Sequence, residues 1–167
     1  MSDVGFENTI NRIQVIAMTM ENIYKSARDT QFVKLQDYCR DIIESCKTDS
    51  IKINYNVDNV NLISRYATSF GLILNELITN STKHAFKNTE NPSIDIDIKF
   101  LNDEIILSYK DNGNGIPKDF KEGLGTIVIN SLIEQIEGEI VTKNDKGYNF
   151  YLKFIVLLKK YILLIKR

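Results

Sequence analysis

The sequence predicts an α+β fold, a two-layer sandwich in which helices cover one face of a sheet of about five largely antiparallel strands. Three observations predict it. Ile51–Val57 and Ile94–Phe100 alternate apolar and polar residues, the pattern of a half-buried strand. Thr9–Ala27, Gln31–Cys46 and Ile63–Phe86 carry apolar residues at steps of three and four, the pattern of a helix with one buried face. Polar turn residues at Asn102-Asp103 and Asn144–Gly147 let strands fold back on each other.

The elements follow in order. In Thr9–Ala27 the stripe is Ile13, Ile16, Met20, Ile23, Tyr24 and Ala27. In Gln31–Cys46 it is Leu35, Tyr38, Cys39, Ile42, Ile43 and Cys46, so both cysteines are expected as buried thiols, too far apart along one helix to bridge. A strand at Ile51–Val57 and a polar turn at Asp58–Asn61 lead into one long, mostly apolar helix, Ile63–Phe86, broken by Asn88–Pro92. Strands at Ile94–Phe100 and Ile105–Tyr109 flank the Asn102-Asp103 turn. After a Gly-rich stretch, Asp111–Gly125, a helix runs from about Thr126 to Ile136, and Gly138 ends it. Glu139–Thr142 and Tyr148–Ile155 form a last hairpin. The expected organisation is a helical element at 1–48, a compact domain at 49–156 and a basic, apolar tail at 157–167. Lys153, Lys159 and Lys160 interrupt the C-terminal stretch, which is too broken for the run of about 20 apolar residues that spans a bilayer. The tail suits an anionic membrane surface, although packing on its own domain or in a dimer is the preferred expectation.

Composition excludes several classes. The 167 residues include 21 basic and 22 acidic side chains, a net charge of −1, so no basic field marks a nucleic-acid binder. One histidine and two cysteines exclude a multi-histidine zinc site and a zinc finger. The N-terminus lacks a basic segment followed by an apolar one, so no signal peptide is expected, and a reduced cytoplasmic location is the default.

Three segments carry chemistry. In Leu74–Phe86, Glu76 and Asn80 lie four apart on one helix face, and Lys83 and His84 are expected to extend that stripe by a turn. A carboxylate, a carboxamide and an ammonium on an otherwise apolar helix are costly unless satisfied, and a Mg²⁺–phosphate pair would satisfy them; a solvent-facing stripe is the plain alternative. In Lys110–Pro117, Asp111 ends a strand and Gly113 and Gly115 follow. A carboxylate there can accept from an exocyclic amine while glycine lets a flat ligand approach, but Asp-Asn-Gly is also an ordinary turn sequence. In Gly123–Thr126 a Gly-rich lead-in opens a helix whose free N–H groups suit an anion. Neither G-x-G-x-x-G nor G-x-x-x-x-G-K-[ST] occurs.

Together and in this order, the segments resemble a known family. ELITNSTKHAF resembles the N box, DNGNGIP the first glycine box and GLGTIVINSLIEQIEG the second glycine box of sensor histidine kinases, within the wider GHKL ATPase superfamily. The likeness covers roughly Ile51–Val156, and NRIQVIAMTMENIY with FVKLQDYCRDII resembles the second helix of a dimerisation and phosphotransfer hairpin and its lead into the ATPase domain. The resemblance implies the Bergerat fold, ATP and Mg²⁺. It implies that Asn80 is the Mg²⁺ ligand and Glu76 a base or polariser, and that Lys83 and His84 line the phosphates. By the same likeness Asp111 binds the adenine amino group beside Gly113 and Gly115, and Gly123, Leu124, Gly125 and Thr126 flank the triphosphate.

The sequence departs from the family in three places. His84 is the only histidine and matches the N box, so the phosphoacceptor is expected in trans. Pro117–Glu122 makes a short lid, expected to cover ATP incompletely. Gly147-Tyr148 stands where the family has Gly-Thr near adenine. The expected function is the ATP-binding catalytic module of a two-component histidine kinase, dimeric through its N-terminal helices and working with a response-regulator pathway. The alternatives are a non-catalytic module regulating a partner kinase, and a stand-alone GHKL serine kinase.

Overall fold

A computed structural model describes residues 9–17, 21, 32–117 and 123–156. Helix α1 includes residues 9–17. Strand β1 (Phe32–Lys34) leads directly into α2 (Leu35–Cys46), followed by β2 (Lys52–Val57), β3 (Asn61–Ile63) and α3 (Ser64–Asn80). A π-helical turn (Ser81–Ala85) ends α3; β4 (Ser93–Leu101), β5 (Glu104–Asp111), α4 (Leu124–Gln135), β6 (Glu139–Asn144) and β7 (Tyr148–Ile155) complete the order.

The main sheet runs β2-β4-β5-β7-β6. Only β2 and β4 pair in parallel, with Ile53 opposite Ile94 and Val57 opposite Ile98. The β4–β5 hairpin closes through Asn102 and Asp103, both left-handed at φ 54° and 64°, the two-residue turn whose twist matches that of the strands. Alternation then sends Ile94, Ile96, Ile98, Ile105, Leu107, Tyr109, Phe150, Leu152 and Phe154 to the buried face. Phe70, Ile73, Leu74, Leu77 and Ile78 of α3 cover it, with Ile129 and Ile133 of α4 alongside. Phe154 anchors this layer between the rings of Tyr66 and Phe70, at centroid distances of 5.6 and 5.7 Å. On the outer side of α3, the Tyr38 hydroxyl of α2 donates to the Ala67 carbonyl at 3.0 Å and sits where Gly71 has no side chain.

The structure alters four expectations. The start of the second helix and the polar turn form a two-stranded ribbon instead, with Val33 opposite Leu62, and strands of three residues are too short to show alternation. The face of α1 turned to the domain carries Arg12 and Val15; Val15 is 1% exposed, whereas Ile13 and Ile16 are 60% and 41% exposed. The rest of that stripe, Met20, Ile23, Tyr24 and Ala27, lies outside the described residues. Cys39 is fully buried and its thiol is pushed up by burial, but Cys46 is only half-buried, its Sγ donating to Asn75 Oδ1 at 3.4 Å. Finally, Glu137 rather than Gly138 takes the left-handed position after α4, at φ 54°. Its N–H bonds to the Glu134 carbonyl (3.1 Å) and that of Gly138 to the Ile133 carbonyl (2.9 Å), a Schellman closure. The tail at 157–167, with its membrane expectation, lies outside the described residues.

Candidate functional site

Two clusters form where α3, the loop after β5 and the start of α4 meet. In the first, Glu76 and Asn80 stand one turn apart on α3. Glu76 is 4% exposed and its carboxylate is held by Arg12 of α1, Nε to Oε1 at 2.6 Å and Nη2 to Oε2 at 3.0 Å. The hydrogen bond to Glu76 raises the Arg12 pKa further, against the opposing effect of burial. The Asn80 carboxamide is half-buried and makes no hydrogen bond among the described residues. Gly125 lies against both: a Cβ there would stand 3.0 Å from Glu76 Oε2 and 3.7 Å from Asn80 Oδ1. Glycine thus lets the first turn of α4 close on the acidic end of α3.

α4 begins after Gly123, which is extended and offers no side-chain cap. The first N–H groups of a helix have no partner within it, so this turn presents donors and the positive end of the helix dipole. Gly123 is exposed and Thr126 half-buried; Leu124 contributes its backbone as the first residue of the helix. Among the described residues no three His, Cys, Asp or Glu side chains cluster to hold a metal, so a metal here needs oxygens from a ligand as well as from the protein. Asn80 supplies a hard amide oxygen, which fits that case.

The second cluster surrounds Asp111, the last residue of β5 and 1% exposed. Oδ2 accepts from the Ser81 hydroxyl at 2.6 Å, and Oδ1 from the backbone N–H groups of Gly113 (2.9 Å) and Tyr148 (3.1 Å). Behind Ser81 stands the Tyr109 hydroxyl, 2.7 Å from Ser81 Oγ and 3.1 Å from the Leu77 carbonyl. Burial pushes the Tyr109 pKa well up, so the group remains a donor. Gly113 is required by crowding, since a Cβ would meet the Ala85 carbonyl at 2.5 Å. Gly147 is required on two counts: its φ is 108° and its open side faces the Asp111 carbonyl. The Gly147-Tyr148 pair therefore contacts Asp111 by backbone and needs no threonine hydroxyl for this.

The loop beyond Asp111 is tethered at three points, the first being Asn112, whose side chain accepts from the Ser93 N–H (2.8 Å) and donates to the Asn91 carbonyl (3.0 Å). Asn114 binds the Ala85 carbonyl through its N–H (2.8 Å) and the Lys87 carbonyl through its side chain (2.6 Å). Asn144 accepts from the Ile116 N–H (2.8 Å) and donates to the Ile116 carbonyl (2.7 Å), at the point where Gly115, φ 69°, faces that carboxamide. Of the short lid, residues 118–122 lie outside the described residues.

Lys83 and His84 follow Asn80 within the π-helical turn, whose winding is wider than that of α3. The anchors of the turn are Ser81 on Asp111 and the Ala85 carbonyl on Asn114. Lys83 is half-buried and His84 exposed. Sequence reasoning missed Arg12, Ser81, Tyr109 and Asn144. Only Ser81 carried a signal, a hydroxyl directly after Asn80 in the same motif.

Residues 66–159 match the family described as histidine kinase-, DNA gyrase B-, and HSP90-like ATPase, HATPase_c. The blue-light-activated histidine kinase 2 of Erythrobacter litoralis is 29% identical over 104 residues, 59% of this chain and 30% of that protein. The sensor protein LytS of Staphylococcus epidermidis is 42% identical over 60 residues, 35% of this chain and 10% of that protein. The chain thus spans less than a third of the length of these relatives. Among solved structures, the histidine kinase domain of Erythrobacter litoralis EL346 superposes with a TM-score of 0.79 at 18% identity, over 94% of this chain and 78% of that one. The catalytic domain of histidine kinase ThkA gives 0.60 at 21% identity, over 75% of this chain and 95% of that one. At such identities the likeness is one of fold.

Proposed function

The chain belongs to the histidine kinase-, DNA gyrase B-, and HSP90-like ATPase family, and on that premise we propose that it binds Mg·ATP between α3, the β5 end and α4 and donates the γ-phosphate in two-component signalling. Asp111 accepts from the adenine amino group, with Gly113 and Gly115 forming the flat wall. Asn80 would hold Mg²⁺, which would supply positive charge to offset that of the phosphates. Glu76 polarises the nucleophile. Lys83 and His84 approach the phosphates from the π-helical turn, and the backbone of Gly123, Leu124, Gly125 and Thr126 offers N–H groups to the same anion.

The observation that carries this reading is the fit of Gly125 against Glu76 and Asn80, which joins an anion-ready helix start to a carboxylate and an unengaged amide oxygen. The fixed orientation of Asp111 supports the adenine assignment. The acceptor in this reading is a histidine outside these 167 residues, supplied in trans and feeding a response regulator. Residues 49–156 form the nucleotide-binding unit and 1–48 a partial dimerisation and phosphotransfer element, whose exposed Ile13 and Ile16 support a homodimer through the N-terminal helices. No helix among the described residues is long and apolar enough to cross a membrane, and we assign the domain to the cytoplasm.

Calorimetry with ATP, with and without Mg²⁺ and with GTP as control, tests the reading. Magnesium-dependent, adenine-selective binding is expected. Absence of binding at millimolar ATP would overturn it.

A further inference from the structure

The carboxylate assigned to the phosphate end is already engaged. Both oxygens of Glu76 take an N–H from the Arg12 guanidinium, at 2.6 and 3.0 Å, across 64 residues of sequence. The two side chains are 5% and 18% exposed, so water and salt screen them far less than a surface pair. Paired in this fork, a carboxylate is a poor base, because taking up a proton forfeits two charge-assisted bonds. A group meant to polarise a nucleophile is thereby occupied.

The apolar side chains at 9–17 divide between the domain and solvent. Val15 is buried, while Ile10, Ile13 and Ile16 are 40%, 60% and 41% exposed. The ion pair ties this helix to the domain beside the buried Val15. It also lies at the place where a charged ligand would compete: Glu76 Oε2, bound by Arg12, is the oxygen nearest the Gly125 position at the start of α4. Phosphate oxygens arriving there offer the planar guanidinium a second bidentate partner.

We propose that Arg12 and Glu76 form a latch that holds α1 across the phosphate end of the site and keeps Glu76 inactive until the pair opens. The proposal rests on the nucleotide reading of the site and adds its regulation: docking of the N-terminal helix and use of Glu76 exclude each other. Opening transfers no atom; Arg12 exchanges a carboxylate for phosphate oxygens or solvent, and Glu76 regains its lone pairs for the nucleophile.

The test uses the full chain with Arg12→Gln, Arg12→Lys and Glu76→Gln, read by amide hydrogen exchange over residues 9–17 and by phosphate release from Mg·ATP. Arg12→Gln should speed exchange in that segment by about tenfold or more and raise phosphate release several-fold, since the closed state is no longer favoured. Arg12→Lys, which keeps the charge but not the fork, should fall between it and the wild type on both readouts and serves where Arg12→Gln folds poorly. Glu76→Gln should speed exchange equally and abolish phosphate release. A merely structural ion pair would instead lower phosphate release in both Arg12 variants. That result, or unchanged exchange in Arg12→Gln and Glu76→Gln, would overturn the latch. Loss of Mg·ATP binding in the wild type would overturn the nucleotide reading, while the exchange data would still decide whether the pair docks α1.

Discussion

Ser81 donates its hydroxyl to Oδ2 of Asp111 at 2.6 Å, linking the π-helical turn after α3 to the end of β5. Among the described residues this buried carboxylate accepts from three neutral donors, two of them backbone N–H groups. Its orientation is therefore set by geometry rather than by a counter-ion.

Ser81→Ala removes the one side-chain donor and leaves a buried carboxylate oxygen short of a partner. The stability loss should be about 1–3 kcal/mol. Tyr109→Phe, which removes the hydroxyl behind Ser81, should cost less, because Asp111 keeps all three of its donors. Urea denaturation of both variants measures the order. Equal losses would mean that the Tyr109 hydroxyl matters as much as the donor it stands behind, and no loss that Tyr109 acts by packing alone.

Asp111→Asn and Asn80→Asp separate the two ends of the site. Asp111→Asn replaces the anionic acceptor, and an amide that keeps its oxygen toward Gly113 and Tyr148 turns its NH₂ toward Ser81. ATP affinity should drop about 10- to 100-fold, the range for a hydrogen bond to a charged group, with or without magnesium. Asn80→Asp should weaken binding only when magnesium is present. Calorimetry in EDTA and in Mg²⁺ distinguishes the patterns.

Glu137 holds a left-handed φ of 54° at the close of α4, a conformation that disfavours a residue with Cβ. Glu137→Gly should stabilise the protein by about 0.5–1 kcal/mol. Gly138→Ala should act in the opposite sense, since its Cβ would meet Leu152 Cδ1 at 2.8 Å and Ile133 Cγ2 at 3.3 Å, and overpacking of this kind costs about 1–3 kcal/mol. Thermal melts of the two variants should move apart.

Alkaline pH should destabilise the fold. Burial raises the Cys39 thiol above its ordinary value of 9.0, so the folded state keeps a proton that the unfolded chain releases above that pH. The unfolded state then binds fewer protons, and stability falls with rising pH, by about 1.4 kcal/mol per pH unit for each such group. Tyr109 adds a second proton above its ordinary value of 10.0. Cys39→Ala should leave a shallower slope between pH 9 and 10 in denaturant midpoints, whatever it does to stability at neutral pH.

The sandwich was legible where periodicity is local. Ile94, Ile96 and Ile98 against Ile105, Leu107 and Tyr109 announce a hairpin, and Asn102-Asp103 announces its turn. The β1–β3 ribbon was not, because Phe32–Lys34 and Asn61–Ile63 are three residues each and pair across nearly thirty others. The same limit applies to the site. Glu76 and Asn80 share a helix face by spacing, and Asp111 with Gly113 marks a strand end. Arg12 has no such signature, since an ion pair between distant segments leaves no local pattern. It also reverses the apolar reading of α1, turning a charged residue inward and Ile13 outward. The π winding at Ser81–Ala85 was not legible for a third reason: it goes with tertiary anchors on Ser81 and Ala85.

Asn144 grips Ile116 by both backbone groups, as a neighbouring strand would, and Gly123 fixes the opposite post at the start of α4. Both ends of the connection from Pro117 to Gly123 therefore begin on backbone that the sheet and α4 already hold. By closure entropy alone, each doubling of the length joining two such ends costs only about 0.6 kcal/mol.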